Sequence, residues 1–395
     1  MKSVVELRKI ALFAAAAWVS FGLTAAVAQF GPPGPKVDEA QLQKDHPELY
    51  VLPPVSHKYV PKKTPWGDPD LRGMWPIDSF GGLNLQRTPA MGKRVWLSDE
   101  EYKFVEARME ASREAPAKET KSGKLGMGNW VEMTGAGRRT SLLIDPQNGR
   151  LPELTPEGKR LQAMGRSSWV RGQSYDWVTD FDSWDRCITR GFPASMLPFH
   201  YNNGTQIMQA PGYVVINLEM IHDARIIPLD GRPMPADSVT DWMGISRGHW
   251  EGNTLVVETS HIRPGASPVN MATNGAPANN TIPMSPQAHV TERFTPIGPN
   301  TITYEMTYSD PVYWTAPFTV RADWTRNEKY KFYEYACHEG DVQVKNYIVA
   351  DHAQRAKDKA AAAAKAQASA AAQATPAAAP VAPPTPAAAT HQHSS

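Results

Sequence analysis

The chain has 395 residues, 41% of them apolar and 21% charged, enough to bury a substantial core and too apolar for a wholly disordered chain. Forty-one Lys and Arg stand against 40 Asp and Glu, so the formal charge of +1 excludes a strongly basic nucleic-acid-binding face. The 35 prolines are about twice the ordinary rate of roughly 5%, which predicts extended and turn-rich structure.

Residues 1–28 have the layout of an export signal. Lys2, Arg8 and Lys9 form a basic start, Ile10 to Val19 an apolar run too short to span a bilayer comfortably, and Ala26-Val27-Ala28 a small-x-small cleavage site. The expectation is a mature chain beginning at Gln29, in the periplasm or secreted, with no stable membrane insertion after cleavage. Residues 29–65 are proline-rich and read as an extended arm laid over the fold, and 66–199 as a mixed helix and loop region packing on the strand-rich half of the chain. Pro65 to Asp70 reads as a turn and Leu71 to Trp75 as a short strand. Ser98 and Glu101 form a capping box, predicting a helix to about Ala115. Residues 116–137 read as a loop and Thr140 to Ile144 as a strand. Thr155-Pro156 opens a second short helix.

From about residue 200 the pattern is of strands. Thr205–Ala210, Tyr213–Glu219, Ala224–Leu229, Ile245–Trp250, Leu255–Thr259, Val290–Thr295, Thr301–Tyr308, Phe318–Thr325 and Lys331–Ala336 are joined by short connections, and 262–286 is looser. Ile302, Tyr304, Met306 and Tyr308 share one face of their strand. The expected fold over 200–349 is mainly β: an antiparallel meander closing into a barrel-like sheet, lipocalin-like in shape, with an N-terminal arm and a few short helices. An open sandwich is the alternative. Ala350 to about Ala374 has the composition of a fraying helix, within a 350–395 tail of Ala/Pro-rich low complexity expected to be disordered.

An oxidising compartment favours a bond between the two cysteines, Cys187 and Cys337. Phosphate-loop, dinucleotide and nucleophile-elbow motifs are absent from the sequence, so no organic cofactor is expected. Polar residues in apolar context point instead to Glu219, His222, Asp223 and Arg225, where a carboxylate beside a histidine suits acid–base work. A structural Asp223–Arg225 or Glu219–Arg225 ion pair is the plainer alternative. A Cys187–Cys337 bond would bring His338 and Glu339 toward Arg190. Two histidines and a carboxylate there would suit a divalent metal, though the spacing does not demand one. Arg190, His200, Tyr201, Asn202 and Asn203, with Trp250, Tyr304 and Trp324, are the expected ligand-binding residues, for a small apolar or aromatic molecule. A lyase, isomerase or hydrolase, a non-catalytic carrier, and a structural envelope protein are the three functional alternatives.

The segments Thr64–Leu71 (TPWGDPDL), Thr140–Pro146, Cys187–Gly191 (CITRG), Gln209 through Gly231, Trp250–Thr259 (WEGNTLVVET) and Cys337–Gly340 (CHEG) together resemble a family of exported bacterial proteins with no assigned activity. The resemblance covers roughly residues 64–349. It implies export and one cooperative unit, and no chemistry.

Overall fold

The computed structural model describes residues 35–77, 83–123, 137–168, 170, 172–199, 201–263, 269–270, 281–282, 284–339 and 341–373. The export segment expected over 1–28 lies outside them. Two compact units emerge. One comprises the chain up to Gln173 together with Val178–Asp341; the other comprises Ser174–Trp177 and the chain from Val342.

In the first unit the arm, expected to be extended throughout, begins with a helix and a 3-10 turn. Asp38 caps helix α1 (Glu39–Asp45) by accepting from the Ala40 and Gln41 amides, and a 3-10 turn comes next at Pro47–Tyr50. Beyond the turn the chain runs extended across the fold, Pro53 accepting a hydrogen bond from Arg321. Arg94, fully buried, pairs with both Glu39 of the arm and Glu101. Ser98 and Glu101 form the capping box of α2 (Asp99–Arg113), each side chain meeting the other's amide at 3.3 and 2.9 Å. Helix α3 (Ala115–Ser122) occupies the start of the expected loop. Helix α4 (Pro156–Ala163) carries Thr155 as its cap. Gly158 lies so close to the Tyr313 backbone that a Cβ there would meet the carbonyl oxygen at 2.4 Å, which fixes the residue as glycine.

Twelve strands are present among the described residues, in two main antiparallel sheets and one short pair. The first sheet joins β1 (Gly73–Met74), β3 (Thr205–Ala210), β4 (Tyr213–Leu218) and β5 (Ala224–Pro228) in that order. The second has the order β2-β12-β11-β10-β7-β6, with β2 at Leu143–Asp145, β6 at Ile245–Glu251, β7 at Thr254–Ser260, β10 at His289–Gly298, β11 at Thr301–Ser309 and β12 at Phe318–Thr325. The short pair is β8 (Val269–Asn270) with β9 (Thr281–Ile282).

The expected closure is not found: among the described residues no hydrogen-bonded ladder joins the two sheets into a ring. The expected strand Lys331–Ala336 has no ladder partner and runs irregularly; its Tyr333 amide donates to the Glu219 carboxylate, next to the hydroxyl of the preceding Tyr330.

The inward alternation of β11 holds: Ile302, Tyr304, Met306 and Tyr308 are all at most 1% exposed. They meet Ile207, Val214, Ile216 and Ile227 of the first sheet in one continuous core. Tyr304 stacks on Trp324 with centroids 4.7 Å apart, and Phe294 packs against both. Tyr304 and Trp324 are therefore core residues and do not line a hollow. Trp250 is half-buried against the same core.

Arg225 of β5 crosses this core to Glu292 of β10, with both side chains nearly inaccessible. Ser246 and Thr259 accept further hydrogen bonds from its guanidinium, Phe192 lies under it at 4.4 Å, and the Tyr304 hydroxyl donates to Glu292. Arg225 thus has a partner other than the expected Glu219 or Asp223.

In the second unit, helix α5 (Gln343–Gln373) begins ahead of Ala350, the boundary expected for a disordered tail. Asp176 pairs with Arg355 and His352, and Tyr175 packs edge-on to Tyr347. Residues 374–395 lie outside the described ones. No helix among the described residues is long and apolar enough to cross a membrane.

Removing one member of a buried ion pair strands the other, at about 3–5 kcal/mol, whereas replacing both by apolar groups is far milder. Urea unfolding should therefore show Arg225→Met losing most of that amount and Arg225→Met/Glu292→Leu recovering much of it. Additive losses in the double variant would show that the pair does not act as a unit.

Candidate functional site

Most of the residues singled out in the sequence converge on one region. Cys187 and Cys337 are joined by a disulfide, with Cα atoms 5.7 Å apart. The bond draws the irregular strap over 327–339 against the loop that carries Thr189 and Arg190. Beneath lies a small aromatic cluster, Trp184, Phe199, Met220 and Ile221, with Tyr201 and Tyr335 at its margin. Phe199 meets Trp184 and Tyr201 edge-on at 5.0 and 4.8 Å.

Glu219 is 1% exposed and saturated by donors. Its Oε2 accepts from the Gly204 amide and the Tyr330 hydroxyl, and its Oε1 from the Tyr333 amide and Asn202. A Cβ on Gly204 would meet Glu219 Oε2 at 2.5 Å and the Tyr330 ring at 2.8 Å, so the absent side chain makes room for the tie. Glu219 is positioned as the anchor of the strap, not as an open acid or base.

A 3-10 turn at Met220–His222 separates Glu219 from β5, and it places both Ile221 and His222 at positive φ, 58° and 45°. His222 is exposed, and no hydrogen bond to its ring occurs among the described residues. Asp223 is half-buried and accepts a 2.6 Å hydrogen bond from the Thr189 hydroxyl. Burial pushes its carboxyl up to about 6, against the Thr189 hydrogen bond and the nearby His222, while Asp241 adds to the rise.

Arg190 is 3% exposed and has no carboxylate partner among the described residues. It donates to the Leu197 and Pro198 carbonyls at 2.7 and 3.4 Å and lies over the Phe199 ring at 5.0 Å, and its Nε has no partner. Burial presses its pKa down to about 9. Asn203 closes a pair of hydrogen bonds with the Phe199 backbone, so it shapes the loop. Arg190, Asn202, Asn203 and Glu219 line a cavity of only about 10 Å³, room for one water-sized species. His338 and Glu339 are exposed at the end of the strap. His200 lies outside the described residues. Among the described residues no group of three or more His, Cys, Asp or Glu side chains is disposed to hold a metal ion.

A larger space lies elsewhere, at a place the sequence does not single out for binding. Between the arm and the β10–β11 hairpin is a cleft of about 230 Å³. Leu71 and Trp75, both buried, and Ile302 form its apolar side, with Tyr59 and Pro61 of the arm opposite. Arg326 covers the Trp75 ring at 4.8 Å and donates to the Arg72 carbonyl, and Lys62 and Asn300 reach the same space. Asp70 is bonded to Arg72, which holds its carboxyl below the usual range. The turn read in the sequence at Pro65 to Asp70 is closed by hydrogen bonds between Thr64 and both Gly67 and Asp68 and leads the arm to Leu71 of this wall; its signal is visible in the sequence, but the wall it joins is not.

No protein-family model matches the chain, and neither a curated protein nor a solved structure matches it.

Asp223 supplies a pH test. A carboxyl raised from 3.8 to about 6 in the folded protein binds its proton more tightly there than in the unfolded chain. Its protonation therefore favours folding fully below about 4, and this contribution is lost as pH rises from about 4 to about 6. Asp182, also raised to about 6 by burial and by Asp185, acts in the same window. The difference in urea midpoint between the wild type and Asp223→Asn should shift against the wild type across that interval and then level off. A pH-independent difference would contradict the burial of this carboxyl.

Proposed function

We propose that this is an exported binding protein for a small apolar or aromatic molecule, seated in the cleft between the arm and the β10–β11 hairpin. The observation that carries the reading is the cleft itself: about 230 Å³, walled by Leu71, Trp75 and Ile302, with a few convergent polar groups. Apolar walls with convergent polar groups suit a small molecule, and the size suits one or two rings. Arg326 and Lys62 in its lining, with Asp70 there already bonded to Arg72, favour a ligand that is neutral or carries one acidic group. The paired cysteines support an oxidising destination, the periplasm or beyond.

The barrel-like hollow expected for the ligand is replaced in this reading by an outer cleft, since the core between the sheets is filled by side chains. The acid–base alternative keeps one support, the raised Asp223 carboxyl beside Thr189, and routes no step through the exposed His222.

Benzoate and benzyl alcohol are suitable probes, read by tryptophan emission because Trp75 forms a wall. Both should give a saturable change. Asn300→Trp, which places an indole at the mouth, should weaken both by at least about tenfold, or ~1.4 kcal/mol. Arg326→Gln should weaken benzoate more than benzyl alcohol. Saturable binding unaffected by Asn300→Trp would place the site elsewhere.

A further inference from the structure

We propose that the strap over 327–339 is a disulfide-latched cover above a second binding site, whose cation is Arg190 and whose ligand is a small carboxylate on an aromatic ring. The site is distinct from the cleft at Trp75 and does not rest on it. A guanidinium that is 3% exposed normally has a carboxylate partner. Arg190 has two backbone carbonyls, an aromatic ring and an unpartnered Nε, and it lines a small, partly open space. A planar guanidinium matches a carboxylate in two parallel hydrogen bonds. Around it, Phe199, Trp184, Tyr201 and Tyr335 offer the ring faces and edges that would hold an aryl group.

The latched form has no room for such a ligand. The space beside Arg190 admits one water-sized species, and the strap is tied to its wall where Tyr330 and Tyr333 bond to Glu219. The strap has no regular secondary structure and three kinds of tie at its centre and far end: Tyr330 and Tyr333 on Glu219, Tyr335 beside Tyr201, and the Cys337–Cys187 bond. Hydrogen bonds to a carboxylate exchange for water; the covalent bond does not. Backbone strain is concentrated here too. Of the five non-glycine residues at positive φ among the described ones, Cys187, Asn202, Ile221 and His222 belong to the loops that form this region. Such conformations persist where surrounding structure holds them, and they gather at ligand clamps and switch segments.

The opening step is thiol–disulfide exchange with a dithiol. The dithiol supplies two electrons and two protons, the Cys187–Cys337 bond breaks to two thiols, and the dithiol is oxidised to its own disulfide. Cys337 is half-buried, so its sulfur is the one nearer to solvent for attack.

The test uses the full chain carrying Asn300→Trp in every arm, so that binding in the cleft at Trp75 is weakened equally throughout, cancels in the comparison, and a failure here leaves that proposal standing. Benzoate affinity is measured by calorimetry with the disulfide intact, after dithiothreitol, and in Cys337→Ser without reductant. The reduced and Cys337→Ser proteins should bind at least tenfold more tightly than the oxidised protein, and adding Arg190→Gln to Cys337→Ser should abolish the gain. Hydrogen exchange of the unsubstituted chain should rise over Tyr330–Cys337 on reduction while the two sheets stay protected; this measurement decides the latch even if Arg190→Gln fails to fold. Equal affinity in oxidised and reduced protein, a gain that survives Arg190→Gln, or unchanged exchange in the strap would each overturn the proposal.

Discussion

Arg225 and Glu292 stand where the two sheets face each other, one on β5 and the other on β10, with neither reaching water. Taking two charges out of solvent is expensive, and further contacts around the pair offset part of that cost: Ser246 and Thr259 beside the guanidinium, Phe192 beneath it, and Tyr304 on the carboxylate, with only the guanidinium Nε left without a hydrogen-bond partner. Such a pair is weak as a source of stability and strong as a constraint on register. A one-residue slip of β5 or β10 would turn its member of the pair to the opposite face and leave the other buried alone. The stack of Phe294, Tyr304 and Trp324 sits on the same foundation, because the Tyr304 hydroxyl can be buried only while Glu292 receives it.

This constraint decides where a ligand has room. A core closed by aromatic rings and a buried ion pair leaves the periphery, where the arm and the strap are laid over the sheets. The arm is pinned at one end by Arg94 between Glu39 and Glu101, and the chain beyond it forms one wall of the cleft at Trp75. The strap is pinned by Glu219 and by the disulfide. In both places irregular chain is positioned by a rigid scaffold next to a concave space lined by polar as well as apolar groups.

The sequence makes much of this architecture visible through local signals. Ser98 and Glu101 announce their helix because capping is settled within four residues, and the alternation from Thr301 to Tyr308 announces an inward face because a strand has a period of two. The two cysteines could be paired because the export expected from residues 1–28 would remove the reducing alternative. What depends on distant partners is hidden. Arg225 sits near Glu219 and Asp223 in sequence, yet its partner is Glu292 on another strand; no local spacing carries that information. Tyr304 and Trp324 are aromatic whether they pack a core or line a pocket, and only the facing sheet decides between the two. Lys331–Ala336 has the composition of a strand but finds its partner in one carboxylate. The cleft at Trp75 forms from segments on both sides of the fold, so its parts were legible, the turn at Pro65 to Asp70 above all, while their meeting was not.

Hydrogen exchange with and without saturating benzoate tests most directly whether the ligand site lies in the cleft between the arm and the β10–β11 hairpin. In the oxidised protein, added protection should be confined to the segments around Tyr59–Trp75 and Pro296–Ile302. Protection centred on β4, β5 and β7, in the interior between the sheets, would contradict the account.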